Sequence, residues 1–245
     1  MNSKVIYVKK EQRIFPSGAS MEKTDWEKLI ENLTKHGTLR TPKVIHALQQ
    51  VPRTRFLSAD SQAYSATDTP LPIGQGQTIS APHMVAIMNE ALQLQTGQKI
   101  LEVGAGSGWH AVTIAEIIAP KEAPRSEWGH VYTMEINQAL AETARKNIMN
   151  SGYSDRISII IGDGSKGFAQ KAPYDRIVVA AAAPEIPKPL IDQLKPEGIM
   201  LIPVGSASLF QTLLKVTKEP DGKLKEKSLG GVAFVPLTGE YGFKL

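Results

Sequence analysis

Cysteine is absent from the 245-residue sequence. That excludes disulfides, thiolate metal sites and cysteine nucleophiles, and it fits a cytoplasmic protein. Long apolar runs are also missing; none approaches the ~18 residues that a membrane-spanning helix needs. Residues 1–13 have no apolar core of the kind a secretory signal carries, so none is expected. Lys and Arg number 28 against 24 Asp and Glu, a net charge of +4. That mild excess suits an acidic substrate, but no basic cluster is dense enough to indicate nucleic acid. The five histidines, at 36, 46, 83, 110 and 130, lack metal-site spacing, so no metal is expected.

What is present is a regular alternation of strand and helix. Residues 1–23 lack periodicity and read as an extension with a short strand at 4–9. Thr24 and Asp25 are good N-cap residues before Trp26, Leu29, Ile30 and Leu33 at helical spacing, and Gly37 ends that helix. A second helix starts at Thr41-Pro42 and stops at Val51-Pro52. Residues 53–77, rich in Pro, Gly, Ser and Thr, read as one long loop. A helix then opens at Ser80-Ala81-Pro82 and runs to about 94. Strands are expected at 99–103, 131–135, 157–161, 176–181 and 198–204, with helices at 109–118, 138–151 and 187–194 between them. This rhythm predicts an α/β fold: a Rossmann-like, doubly wound, mostly parallel sheet. Asp221-Gly222 predicts a hairpin between strands at 210–218 and 223–228, and 232–236 reads as one further strand. The last strands are therefore antiparallel. A polar loop at 120–129 reads as an exposed excursion. Residues 24–245 are expected to form one domain, with a helical and loop substrate side (24–95) and a cofactor-binding α/β core (96–245).

Chemistry concentrates at the ends of three consecutive strands. The first runs into Gly104, Gly106 and Gly108 and carries Glu102. The second ends at Glu135, placed to accept hydrogen bonds from ribose hydroxyls. The third ends at Gly162-Asp163-Gly164, with Asp163 placed to accept from an adenine amino group. C-terminal strand ends are where such sheets bind ligands. The G-x-G-x-G spacing is one residue short of the dinucleotide fingerprint, and Trp109 follows at once. S-adenosyl-L-methionine therefore fits better than a nicotinamide dinucleotide. A second candidate is GQGQTISAPH at 74–83. Ser80 there is equally suited to cap a helix and to present a hydroxyl and nearby N–H groups to a carboxylate. His83 is the histidine best placed to matter.

Together these residues resemble the protein-L-isoaspartate (D-aspartate) O-methyltransferase family. The resemblance rests on VPRTRF at 51–56, PLPIGQGQTIS at 70–80, LEVGAGSG at 101–108, GDG at 162–164, AAAPEIPKPLIDQLKPEG at 181–198, IPVG at 202–205 and VPLTG at 235–239. It implies methyl esterification of the free carboxylate of isoaspartyl residues in damaged proteins and peptides, initiating their repair. S-adenosyl-L-methionine is the implied donor and S-adenosyl-L-homocysteine the product. It places the active-site serine on Ser80. It places cofactor contacts on Gln77, Thr78, Ile79, Glu102, Gly104, Ala105, Gly106, Gly108, Glu135, Ile136, Asp163, Gly164 and Thr238. Substrate contacts fall on Ile79, Ser80, His83, Ala183 and Val204. No nucleic acid or membrane partner is implied, and a monomer is favoured. The loop after Tyr64 departs from the pattern by about two extra residues. Alternative readings are methylation of an aspartate in a dedicated peptide, methylation of another carboxylate, and a non-catalytic cofactor-binding adaptor. The Asn/Asp-Pro-Pro-aromatic motif of amino-directed nucleic-acid methyltransferases has Ala180–Pro184 in its place.

Overall fold

A computed structural model describes residues 23–207 and 210–244. The strand expected at 4–9 lies outside them. Helix α1 (Asp25–Lys35) starts at Thr24, whose hydroxyl and the Glu27 carboxylate form a reciprocal capping box. Helix α2 (Pro42–Gln50) follows, and Leu48 carbonyl accepts from the Trp26 indole N–H at 2.8 Å. Helix α1 buries Trp26, Ile30 and Leu33, the stripe that the spacing predicts.

The stretch at 53–77 is not one loop. It holds a 3-10 turn at Arg53–Phe56, the short helix α3 (Ala59–Gln62) and a hairpin of β1 (Leu71–Gly74) with β2 (Gln77–Ile79). Gln75 and Gly76 both have positive φ, which joins the two strands tightly. Helix α4 (Pro82–Leu92) then begins one residue later than the sequence suggests. Its N-cap is Ala81, with no side-chain hydrogen bond, so Ser80 does not cap it.

The central sheet has the order β5-β4-β3-β6-β7-β8-β9. Strands β3 (Lys99–Val103), β4 (His130–Glu135), β5 (Ile157–Ile161), β6 (Tyr174–Val179) and β7 (Leu194–Gly205) pair in parallel. Strands β8 (Gln211–Lys218) and β9 (Leu224–Val232) extend it antiparallel. Strand β9 runs on to Val232, so 232–236 is not a further strand; Pro236 makes only a bridge to Ala182. Helices α5 (Trp109–Ile118) and α6 (Gln138–Asn150) connect the first three sheet strands, and α7 (Lys188–Gln193) leads into β7. Side chains alternate across β3. Ile100 joins a core with α1, α2, α4 and α5, whereas Leu101 and Val103 join the core under α7. Among the described residues no helix is long and apolar enough to cross a membrane.

Candidate active site

The chain runs outward from β3 to β4 and β5, then returns to place β6 on the other side of β3. Strand order therefore reverses between β3 and β6, and a crevice opens at their C-terminal ends. The glycine loop is fastened there. Gly104 and Ala105 N–H donate to the Met134 carbonyl at 2.9 and 3.0 Å. Gly106 N–H donates to Glu135 Oε2 at 3.0 Å, and Glu135 Oε1 accepts from Asn137 N–H at 3.0 Å. Gly108 serves packing: φ is +85°, and a Cβ would sit 3.1 Å from Ile148 of α6.

A cavity of about 290 Å³ fills the crevice. Its floor is Gly104–Ser107, and one wall combines Glu135 with Met134, Ile136 and Leu140. The β2 residues Gln77, Thr78 and Ile79 close one side, and Val235–Thr238 close another. Gly164 reaches the cavity because its bare Cα lies against Val103, where a Cβ would clash. Ile73 of β1 lies over Gly106, which seats the hairpin on the loop.

Three of the residues expected here stand behind the wall. Gly108 is the packing glycine already described. Glu102 is wholly buried; Oε2 accepts from the Thr133 hydroxyl at 2.6 Å, and Oε1 lies 3.3 Å from His110 Nδ1 outside hydrogen-bond geometry. Burial pushes the Glu102 carboxyl up to about 8, against the Thr133 hydrogen bond and with help from Glu135. Burial also pulls His110 down to about 4, so the pair is neutral at pH 7. His110 itself lines the cavity. Asp163 does not line the cavity and is engaged by its own turn and the C-terminal segment. Oδ1 accepts from Ser165 N–H and hydroxyl (2.9 and 2.6 Å), and Oδ2 accepts from Glu240 N–H at 2.8 Å. Burial works to raise its carboxyl, but these bonds hold it below the usual range.

A second cavity, about 670 Å³, adjoins the first and shares Thr78, Ser80, Ala180 and Val235 with it. Ser80 therefore stands at the junction. Its hydroxyl makes no hydrogen bond within the described residues. His83, Met84, Phe210 and Phe234 line the outer cavity. Ala183 and Val204 do not line either cavity; they bridge to each other near the C-terminal end of β7.

The sequence reading missed Trp109, His110, Met134 and Asn137 as wall residues. Trp109, Met134 and Asn137 each adjoin a residue already singled out and His110 lies two past Gly108, so proximity to the glycine loop and Glu135 was the available signal. It also gave no role to Arg53, within the VPRTRF motif. Arg53 is wholly buried, and its guanidinium donates to five backbone carbonyls of residues 64–80. Among the described residues there is no His/Cys/Asp/Glu group able to hold a metal ion.

A cavity at the switch point with a carboxylate on one wall, apolar side chains beside it and exposed backbone on the floor fits an adenosine. This fold and crevice define an S-adenosyl-L-methionine-dependent methyltransferase. Comparison with known proteins narrows the class. The family model for protein-L-isoaspartate(D-aspartate) O-methyltransferase matches residues 24–242, and the chain belongs to that family. It is 54% identical over 217 residues to a protein-L-isoaspartate O-methyltransferase of Hyperthermus butylicus, covering 89% of this chain and 90% of that one. It is 50% identical over 226 residues to the enzyme of the same name from Thermococcus onnurineus, covering 91% and 99%. Among solved structures, a Plasmodium falciparum protein described as a protein-L-isoaspartate O-methyltransferase in complex with S-adenosyl-L-homocysteine superposes with a TM-score of 0.77. That match has 27% identity and covers 88% of this chain and 99% of that one.

Proposed function

We propose that this protein transfers the methyl group of S-adenosyl-L-methionine to the free carboxylate of L-isoaspartyl residues in damaged proteins and peptides, initiating their repair. The observation that carries the reading is Ser80: an uncommitted hydroxyl at the junction of a cofactor-sized cavity and a larger open one. Bound S-adenosyl-L-methionine supplies an activated methyl group on a good leaving group. The acceptor carboxylate is already ionised at neutral pH, so no side chain here has to remove a proton. The work left to the protein is alignment and exclusion of water. In this reading Glu135 accepts from the ribose hydroxyls with the lone pairs its two amide partners leave open. The Gly104–Gly106 backbone and Gly164 let the cofactor approach closely. Gln77, Thr78, Ile79 and Thr238 cover it, with Ile136 against its apolar face. Ser80 holds one carboxylate oxygen while the other attacks the methyl carbon, and His83 faces the peptide in the outer cavity. The same reading takes residues 24–245 as one methyltransferase domain, and the protein as a cytoplasmic monomer.

The test uses labelled S-adenosyl-L-methionine with two peptides that differ only in isoaspartate against aspartate. Base-labile label in the isoaspartyl peptide alone supports the proposal. Label in both, or in neither while cofactor binds, overturns it and favours a dedicated aspartyl acceptor or an adaptor.

A further inference from the structure

The motif at 51–56 lines neither cavity but bonds to residues that do, Trp109 and Ser80. Val51 carbonyl accepts the Trp109 indole N–H at 2.9 Å, which ties the segment to the first residue of α5 and so to the cofactor wall. Two residues on, the Arg53 guanidinium reaches the other way. Nε donates to Ser65 carbonyl (3.0 Å), Nη2 to Tyr64 and Thr67 (3.2 and 2.6 Å), and Nη1 to Thr69 and Ser80 (2.7 and 3.2 Å). Every acceptor is a backbone carbonyl. The charge also lies 5.9 Å from the Trp109 ring centroid. Thr54 adds a hydroxyl bond to Ser65 at 2.8 Å.

This arrangement uses the full donor set of an arginine. Five N–H groups in a rigid fork satisfy carbonyls from two separate segments, which the three rotatable donors of a lysine cannot do. One side chain thereby fixes residues 64–69 and the Ser80 backbone in a single frame, referenced to the cofactor helix through Val51 and Trp109. Among the described residues the Ser80 hydroxyl has no hydrogen-bond partner, so its aim depends on where its backbone is held.

We propose that Arg53 is a positioning residue for the methyl acceptor: it locks the 64–69 loop and Ser80 together, so that its loss damages acceptor turnover and spares cofactor binding. The proposal rests on Ser80 orienting the acceptor carboxylate. A displacement of about 1 Å in such a group lowers rates by about 10²-fold, and that is the scale expected for Arg53→Lys.

The experiment measures three quantities on full-length wild type, Arg53→Lys and Ser80→Ala. They are S-adenosyl-L-homocysteine affinity by calorimetry, kcat and KM for an isoaspartyl peptide, and chymotryptic cleavage at the exposed Tyr64. For Arg53→Lys the expected result is affinity within about threefold of wild type, kcat/KM lower by about 10²-fold, and faster cleavage at Tyr64. Arg53→Lys with wild-type kcat/KM overturns the role of Arg53, whatever Ser80→Ala does. Arg53→Lys that loses cofactor affinity as steeply as turnover also overturns it, because the residue then supports the whole site. Ser80→Ala with wild-type turnover overturns the Ser80 reading itself, and with it any route from Arg53 through that serine. If Arg53→Lys does not fold, amide exchange on the unaltered protein decides. Residues 64–69 and 78–81 are expected to open together at one rate. A loop that exchanges about 10²-fold faster than 78–81 overturns the lock.

Discussion

Asp68 accepts two hydrogen bonds from His83, one from the backbone N–H and one from Nδ1, each at 2.9 Å. The first supplies what α4 lacks locally. Ala81 occupies the N-cap and offers no side-chain acceptor, so a free amide of the first turn would go unpaired without Asp68. The extended loop after Tyr64 thus brings a remote cap to the helix. Replacing Asp68 with alanine should destabilise the protein by about 1 kcal/mol, the usual scale of a lost N-cap. Asn at that position keeps an oxygen for the His83 amide and should cost less. Urea unfolding of the two variants checks this, and equal stability of Asp68→Ala and wild type would refute the remote cap.

Ser80 separates cleanly into stability and activity. Because it is not the N-cap, Ser80→Ala should change unfolding free energy by no more than about 0.5 kcal/mol, the range of an uninvolved site. Turnover of an isoaspartyl peptide should fall by about 10²-fold, on the scale of losing one aligned donor. S-adenosyl-L-homocysteine should bind as before. An early-melting variant with normal turnover would mean that the hydroxyl caps the helix after all.

Glu102 should make stability fall as pH rises through neutrality to about 8. Its folded value, about 8, lies above its ordinary 4.5. Its contribution is therefore complete below pH 4.5 and is lost as pH rises through 8. His110 runs the other way: its folded value near 4 lies below 6.5, so its contribution is complete above pH 6.5 and is lost as pH falls through 4. Between pH 6.5 and 8 only the Glu102 effect operates within the pair. Wild type should lose stability there relative to Glu102→Gln, by at most about 1.4 kcal/mol per pH unit. Denaturant unfolding across pH 6–9 measures it; parallel curves for the two proteins would rule out a protonated Glu102.

Periodicity made the sheet legible because its central strands β3, β6 and β7 are largely buried on both faces and read as short apolar runs. Positive-φ glycines marked the cofactor loop for the same reason: few other residues tolerate Gly104 at φ +96° or Gly108 at φ +85°. The hairpin at 71–79 was hidden because its strands are only four and three residues long, too short for a period of two to show. A cap at Ser80 stood open beside its functional role because Ser-Ala-Pro carries the right residue types, and only the backbone reveals that Ala81 takes the position. Arg53 and Asp68 act on partners 11 to 27 residues away, and no local pattern encodes such contacts. The hydrogen bond of Asp163 with Glu240 N–H was equally out of reach, because the two lie 77 residues apart.

That contact leads to a last prediction. Asp163 clasps the C-terminal segment: Oδ2 holds Glu240 N–H, Ser165 Oγ accepts Tyr241 N–H at 3.0 Å, and Lys166 pairs with Glu240. Leu237 and Thr238 of the same segment line the cofactor cavity. Hydrogen bonds to an ionised acceptor contribute about 1.5–3 kcal/mol each. Asp163→Ala should therefore speed amide exchange at Glu240 and Tyr241 by at least about tenfold and weaken S-adenosyl-L-homocysteine binding through a looser strap. Gly239→Ala should reproduce both effects with the carboxylate still present, since φ there is +137° and a Cβ would collide with the Asp163 carboxylate and the Ser165 hydroxyl that hold the segment. Weaker binding in Asp163→Ala with exchange unchanged would instead make Asp163 a direct adenine contact.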